Sequence, residues 1–278
     1  MRKLKIVLAV LFVTGVILVA VKNILDHQKP VTRTKETSYP MRPEAPKPAP
    51  PPRPVGARMA IVLDDWGENY GLTKQALDIG RPLTLSILPY LHYSKKIAEE
   101  AHRNNLGVML HMPMEPKKAH ERMEPQTILT TTPDADVIRY LDEALGSIPY
   151  AEGVNNHTGS KATTDTRVMR LVLGRLKERG LFFVDSFVTK DTVGPDVARE
   201  IGLPFAKRGV FIDNVSKKDA ILGELKSAGD IALKKGEVVV IGHDRKTTLA
   251  AIKEAVPSLE KAGVRLVLVR DLVVRQSA

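Results

Sequence analysis

Residues 59–67 read Met59-Ala60-Ile61-Val62-Leu63-Asp64-Asp65-Trp66-Gly67. Five apolar residues are too few for a helix, and their branched members suit a strand buried on both faces. Two carboxylates, an indole and a glycine then mark where that strand ends. The same grammar recurs along the chain. Strands are predicted at Met59–Leu63, Leu83–Leu88, Val108–Met112, Gly153–Asn156, Phe182–Asp185, Gly209–Ile212, Val238–Ile241 and Arg265–Val269. Amphipathic stretches lie between them at Ser94–Asn104, Asp134–Leu145, Thr164–Arg179, Lys217–Lys235 and Thr247–Ala262. Three of these stop at a glycine just before the next strand: Arg179-Gly180, Lys235-Gly236 and Ala262-Gly263. Strands alternating with helices predict an α/β fold with a parallel sheet. Seven or eight such units after Arg58 fit a closed or nearly closed, distorted (β/α) barrel better than an open sheet, although spacing admits both.

The 278 residues are 43% apolar and 27% charged, carry a net +10 and include no cysteine. A disulfide framework, a thiol nucleophile, a Cys-ligated zinc and an iron–sulfur cluster are thereby excluded. The positive charge is not on the predicted barrel. Residues 1–57 hold ten Lys/Arg against three Asp/Glu, and the remainder hold 32 against 29. A nucleic-acid-binding fold would carry its basic patch on the folded body, so nucleic acid is not the expected partner. Arg2, Lys3 and Lys5 precede sixteen uncharged residues, Ile6–Val21, which Lys22 closes. That run is slightly short of a bilayer span and long for a signal-peptide core. With only a weak cleavage site at Leu18-Val19-Ala20, it is read as an uncleaved signal-anchor in preference to a cleaved signal peptide. Residues 30–54 hold nine of the nineteen prolines and cannot bury a core; they are read as a stalk. The expected organisation is a leader and flank at 1–29, a Pro-rich linker at 30–57 and the barrel at 58–278. The barrel is expected in the cell envelope, anchored at the inner membrane and facing the periplasm or the exterior.

In a parallel barrel, chemistry gathers at the C-terminal ends of the strands. The residues following the apolar runs are Asp64-Asp65-Trp66, His111 to Glu115, Asn155-Asn156-His157, Asp185-Ser186, Asp213-Asn214 and His243-Asp244. A structural protein has no reason to end six strands this way. A single Asp there is ordinarily a turn former or helix cap, and Asp185 and Asp213 are read so first. Asp64 and Asp65 differ, because neighbouring carboxylates repel unless a cation or proton lies between them. Together with His111, Glu115 and His157 they supply the nitrogen and oxygen donors of a catalytic zinc-type site. A bound divalent metal, zinc first, is therefore expected. Other motifs fail. His120-Glu121 is followed by Glu124 where a zincin needs histidine, and no phosphate loop, dinucleotide fingerprint or nucleophile elbow occurs. Ser160 has only its proximity to His157. His27, His92, His102 and His120 fall outside strand ends.

At these residues the sequence resembles the divergent polysaccharide deacetylases, distant relatives of the NodB-type carbohydrate esterases. The resemblance is carried by Ile61-Val62-Leu63-Asp64-Asp65-x-Gly67, His111-Met112-Pro113-Met114-Glu115-Pro116, Gly153-Val154-Asn155-Asn156-His157-x-Gly159-Ser160, Phe182-Phe183-Val184-Asp185-Ser186 and Ile241-Gly242-His243. It covers residues 58–270 or so. It implies a distorted (β/α) barrel, export, and metal-dependent removal of acetyl groups from N-acetylated sugars. In the NodB-type enzymes the first Asp of the pair is the base and the second a ligand, which maps onto Asp64 and Asp65. Two departures stand out. The second motif, with two histidines four residues apart, is replaced by His111-x-x-x-Glu115 and a separate His157, and no Arg-x-Pro-Tyr motif is present.

The expected chemistry is hydrolysis of a sugar N-acetyl amide. Asp65, His111 and His157 would hold the metal, Asp64 would be the general base and His243 the general acid. Asp244 or Asp185 would orient His243. Glu115, Asn155, Asn156 and Asp185 are candidates to support the ligands or to replace one, and the Asn155/Asn156 region lies where an oxyanion would need donors. Arg245 and Arg208 could grip the glycan, although Arg208 reads equally well as a surface ion pair. Trp66 either stacks on a sugar or caps the barrel. A reading of another class makes the barrel a catalytically inactive glycan-binding or scaffolding module. A third keeps the metal and makes the protein an envelope amidase or esterase.

Overall fold

The apolar runs pair side by side into one curled sheet wrapped by helices. The computed structural model describes residues 56–118 and 123–275. The expected leader at 1–29 and nearly all of the Pro-rich linker at 30–57 lie outside the described residues, as does His120-Glu121. Among the described residues no helix is long and apolar enough to cross a membrane.

The strands are β1 (Ala57–Trp66), β2 (Thr84–Ile87), β3 (Gly107–Met114), β4 (Gly153–Thr158), β5 (Phe182–Asp185), β6 (Pro204–Lys207), β7 (Val210–Phe211), β8 (Glu237–His243), β9 (Val264–Val267) and β10 (Val274–Arg275). The helices are α1 (Gly71–Leu77), α2 (Ser94–Arg103), α3 (Asp134–Ser147), α4 (Thr166–Glu178), α5 (Gly194–Ile201), α6 (Lys218–Lys235) and α7 (Lys246–Lys261). All eight expected strands and all five expected helices are present. The unexpected elements β6, β10, α1 and α5 each have a physical reason for their weak signal. β6 opens on a proline, which weakens its strand signal. β10 has two residues, and α1 and α5 make only about two turns, too short to show a period.

The sheet runs β6-β5-β4-β3-β2-β1-β8-β7, all parallel. β6 and β7 are successive pieces of one segment. The Arg208 amide donates to Asp185 O on β5, and the next amide, Gly209, donates to Val239 O on β8. This segment leaves one edge and joins the other, which closes the ring as a distorted (β/α) barrel. β9 shares an edge of β1 with β2, pairing with Ala57–Ala60 while β2 pairs with Val62–Trp66. β10 runs antiparallel on β6.

Alternation along the strands sorts apolar residues into two cores. Met59, Ile61, Leu63, Leu110, Met112, Val154, Phe183 and Val240 lie under the helices. They meet Ile97 and Ala101 of α2, Leu173 and Leu176 of α4, Leu225 of α6 and Ile252 of α7. Ala60, Val62, Met109, Phe182, Val184, Val239 and Ile241 fill the inside of the ring. Burying a side chain of this size contributes about 1.5–3 kcal/mol, so both faces of the sheet are strongly specified.

Candidate active site

Following the inner core upward along each strand leads to polar residues. Ala60 and Val62 lead to Asp64, Met109 to His111, Val184 to Ser186 and Ile241 to His243, each two residues on. Asn155 and His157 hold the same phase on β4, as Phe211 and Asp213 do on and after β7. Period-two alternation therefore sends these groups to the C-terminal mouth of the ring.

Asp65 has the wrong phase and arrives by a different route. Leu63 pairs with Leu85 but Trp66 with Ile87, so β1 carries one extra residue across that interval. This is a β-bulge. Asp65 takes up the strain in the left-handed region, at φ +68°. The bulge lets two consecutive carboxylates face one site, and it returns Trp66 to the outer phase.

The result is a compact cluster. One Asp65 oxygen, Oδ1, lies 3.3 Å from His111 Nε2 and 3.1 Å from His157 Nδ1. The two imidazoles meet edge to face, 4.9 Å between centroids. Asp64 is 3% exposed, with Oδ2 3.7 Å from His111 Nε2. Behind them the fully buried Asn155 uses its whole carboxamide. Its Nδ2 donates to Asp64 Oδ1 (2.9 Å) and Ser186 Oγ (3.2 Å). Its Oδ1 accepts from Ser86 Oγ and from His111 Nδ1, at 2.8 Å from the latter. That last bond puts the proton of a neutral His111 on Nδ1 and leaves the Nε2 lone pair facing Asp65.

Across the mouth, His243 Nδ1 donates to Asp213 Oδ1 at 2.9 Å, and its Nε2 lies 3.6 Å from Asp65 Oδ2. Asp213 is itself held by the His243 amide (2.9 Å) and Thr248 Oγ1 (2.7 Å). Arg245 donates to Asp213 O and Ser216 Oγ, both at 3.0 Å, and its guanidinium stays largely open to solvent.

Burial raises the Asp64 carboxyl above its ordinary range, against the pull of His111 and Asn155. Burial also works against ionisation of Asp65, but the contacts from His111 and His157 prevail and hold it far below. Burial disfavours charge on His111; the facing Asp64 and Asp65 overcome it and push its pKa up to about 9. His243 is likewise raised, burial being outweighed by Asp213 and Asp65. Asp244 is raised to about 7 by burial and by the neighbouring Asp65.

Asp65, His111 and His157 each offer one donor atom, and these atoms all lie within 4.8 Å of one another. A carboxylate and two imidazoles, one with its far nitrogen already bonded, suit a divalent transition metal with positions left for water. The residues fit such an ion.

Several expectations need correction. Trp66 is completely buried in the outer core, where the bulge turns it, and has no face to offer a sugar. Glu115 is not brought to the cluster. Its carboxylate accepts from Thr130 N (2.6 Å), Thr130 Oγ1 (2.7 Å) and Lys161 Nζ (2.7 Å), clasping two loops. Asp185 points to the helix side, where Thr192 Oγ1 and the Phe187 amide donate to it. Neither it nor Asp244 orients His243; Asp213 does. Asn156 ties β4 to the end of β5, accepting from the Ser186 amide and donating to Thr158 O. Among the described residues Arg208 makes no surface ion pair; it donates to Ser186 O and Phe187 O and lies over the Phe211 ring. Asp213, read first as a turn former, is a site residue that the sequence reading missed; its phase with Phe211 was the signal that could have found it. Glu124, which lies 3.3 Å from His157 Nε2, had no sequence signal, because it comes from a loop.

A family sequence profile described as divergent polysaccharide deacetylase matches residues 61–273. The chain is 29% identical over 205 residues to the uncharacterized protein YibQ of Escherichia coli, covering 74% of this chain and 64% of that protein's length. It is 29% identical over 203 residues to an uncharacterized protein of Haemophilus influenzae, covering 73% of this chain and 72% of the relative. Among solved structures, an uncharacterized protein from Agrobacterium tumefaciens is similar with a TM-score of 0.76 at 23% identity, over 81% of this chain and 92% of that one. The catalytic domain of a peptidoglycan N-acetylglucosamine deacetylase from Eubacterium rectale gives a TM-score of 0.51 at 14% identity, over 81% and 92% of the two chains. At these identities the solved structures speak to the fold.

Proposed function

The chain belongs to the divergent polysaccharide deacetylase family, and from that premise we propose that it is a metal-dependent deacetylase of N-acetylated envelope or extracellular polysaccharide. The observation that carries this reading is one oxygen of Asp65 between His111 and His157, with Asp64 on one side and the His243–Asp213 pair on the other. When bound, a divalent ion such as zinc supplies Lewis acidity to the acetyl carbonyl and to water. The chain supplies the proton transfers. Asp64 takes a proton from the water whose oxygen attacks the acetyl carbon, and its raised pKa suits a base. As the C–N bond breaks, His243 Nε2 gives its proton to the departing nitrogen, leaving acetate and a free amine. Asp213 orients the ring and favours its protonated form. Asn155 holds Asp64 and His111 in register. Arg245, open at the mouth, would meet glycan hydroxyls or acidic groups.

The same proposal includes export. Ile6–Val21 with basic flanks supports a membrane anchor, and the Pro-rich stretch supports a stalk reaching at most roughly 80 Å. The test is elemental analysis of the purified full chain beside an Asp65→Ala/His157→Ala control, followed by acetate release from N-acetylated and O-acetylated sugars. About one equivalent of metal, lost in the control, with release from the N-acetyl substrate is the expected result. No metal after reconstitution at neutral pH overturns the hydrolase and leaves a glycan-binding module. Release from O-acetyl sugars alone makes the protein an esterase.

A further inference from the structure

We infer that Glu124 is a positioning residue for the metal centre: it holds His157 in the ring orientation and tautomer that the metal needs. The inference rests on the metal-centre reading above and extends it to a residue outside the cluster. His157 turns Nδ1 toward Asp65, 3.1 Å from the same oxygen that lies 3.3 Å from His111 Nε2. An ion shared by these three residues therefore meets His157 through Nδ1. Its other nitrogen, Nε2, then carries the proton and needs an acceptor. Glu124 Oε1 lies 3.3 Å from it. A carboxylate on the far nitrogen of a ligating imidazole fixes the tautomer and raises the basicity of the donor atom.

Glu124 is delivered by the connection after β3, and the structure shows how that delivery is secured. The Ile128 amide donates to Pro113 O and the Glu115 amide to Ile128 O, so the two flanks of the connection are zipped together. The Glu115 carboxylate grips Thr130 through its amide and hydroxyl and reaches Lys161. Arg167 holds Thr130 O and Thr132 O. The Lys117 amide donates to Ser160 Oγ, and its ammonium pairs with Asp191. Closer to the site, Glu124 O accepts from both the amide and the hydroxyl of Thr127. The two histidines are thus supported differently. His111 leans on a buried carboxamide from the neighbouring strand, and His157 on a carboxylate from a half-exposed loop.

The test is the zinc affinity of the full chain, measured by competition with a chromogenic chelator, in wild type, Glu124→Ala, Glu124→Gln and His157→Ala. Glu124→Ala is expected to weaken zinc binding about 10–100-fold. Glu124→Gln, which keeps an acceptor oxygen but not the charge, is expected to restore part of that loss. In the zinc-loaded protein, nitrogen NMR should show a His157 Nε2 proton protected from exchange with solvent in wild type and exchanging faster in Glu124→Ala. Wild-type affinity and proton exchange in Glu124→Ala, with zinc lost from His157→Ala, overturn the inference and leave the metal centre standing. No zinc in wild type overturns the metal centre and this inference with it.

Discussion

Asp64 and Asp65 are chemically identical neighbours with opposite ionisation behaviour. Asp64 is closed off beneath Asn155 and is driven toward its neutral form, whereas Asp65 accepts from two histidines and is driven toward its charged one. In the proposed mechanism, environment divides the labour between base and ligand. Replacing Asp64 by Asn should lower acetate release by a factor of about 10²–10⁴, the usual contribution of a general base, while the metal remains bound. Metal content and turnover measured on the same sample check this, and undiminished release would remove Asp64 from the mechanism. His243 donates a proton only while protonated, so activity should fall as pH rises through its raised pKa. Asp213→Asn takes away the charge that helps raise it. The alkaline limb of the kcat/KM profile should then move to lower pH, and a limb that stays in place would assign the acid role to another group.

At the scale of elements, the bulge in β1 decides the site. Without the extra residue, Asp65 would face the helices and Trp66 would swing into the ring. The part of the site read from the sequence was the part obeying alternation: Asp64, His111, Asn155, His157 and His243 all share the inner phase, as does Asp213, which was read first as a turn former. A bulge depends on the partner strand's register, which no local pattern records. β4 shows the opposite constraint, where glycine is required by space. A methyl on Gly153 would sit 2.2–2.5 Å from the Phe182 ring of β5. Ring and strand must shift to admit it. Gly153→Ala is expected to cost about 1–3 kcal/mol in chemical denaturation, the range of an overpacked core. An unchanged midpoint would mean that β4 and β5 pack more loosely there.

For the molecule as a whole, the proposed metal site and the fold are linked through His111. In the metal-free protein its pKa of about 9, raised from 6.5, keeps it protonated at neutral pH, whereas a ligand must be neutral. Metal binding therefore expels about one proton, and affinity should rise about tenfold per pH unit until about pH 9. Because the folded pKa is the higher one, its stabilising contribution to the metal-free protein is fully present below pH 6.5 and is lost as pH climbs to 9. The gap between melting temperatures with zinc and with a chelator should widen over that window. A constant gap would place the proton elsewhere. The ring that holds the cluster closes through Pro204–Phe211, where Arg208 and Gly209 bond to opposite edges.

The sequence by itself determined the strand–helix alternation, eight of the ten strands, three helix stops and the polar residues that terminate the strands. These follow from side-chain periodicity and local backbone preference, which act over a few residues and are written in chain order. Only the tertiary structure decided that Asp65 joins Asp64 through a bulge, that Trp66 turns outward, and that Asp185 and Glu115 serve packing and loop closure. It alone brought Asp213 to His243 and Glu124 to His157. Each of those outcomes depends on register or contact between segments distant in sequence, where pairing across the sheet outweighs local preference.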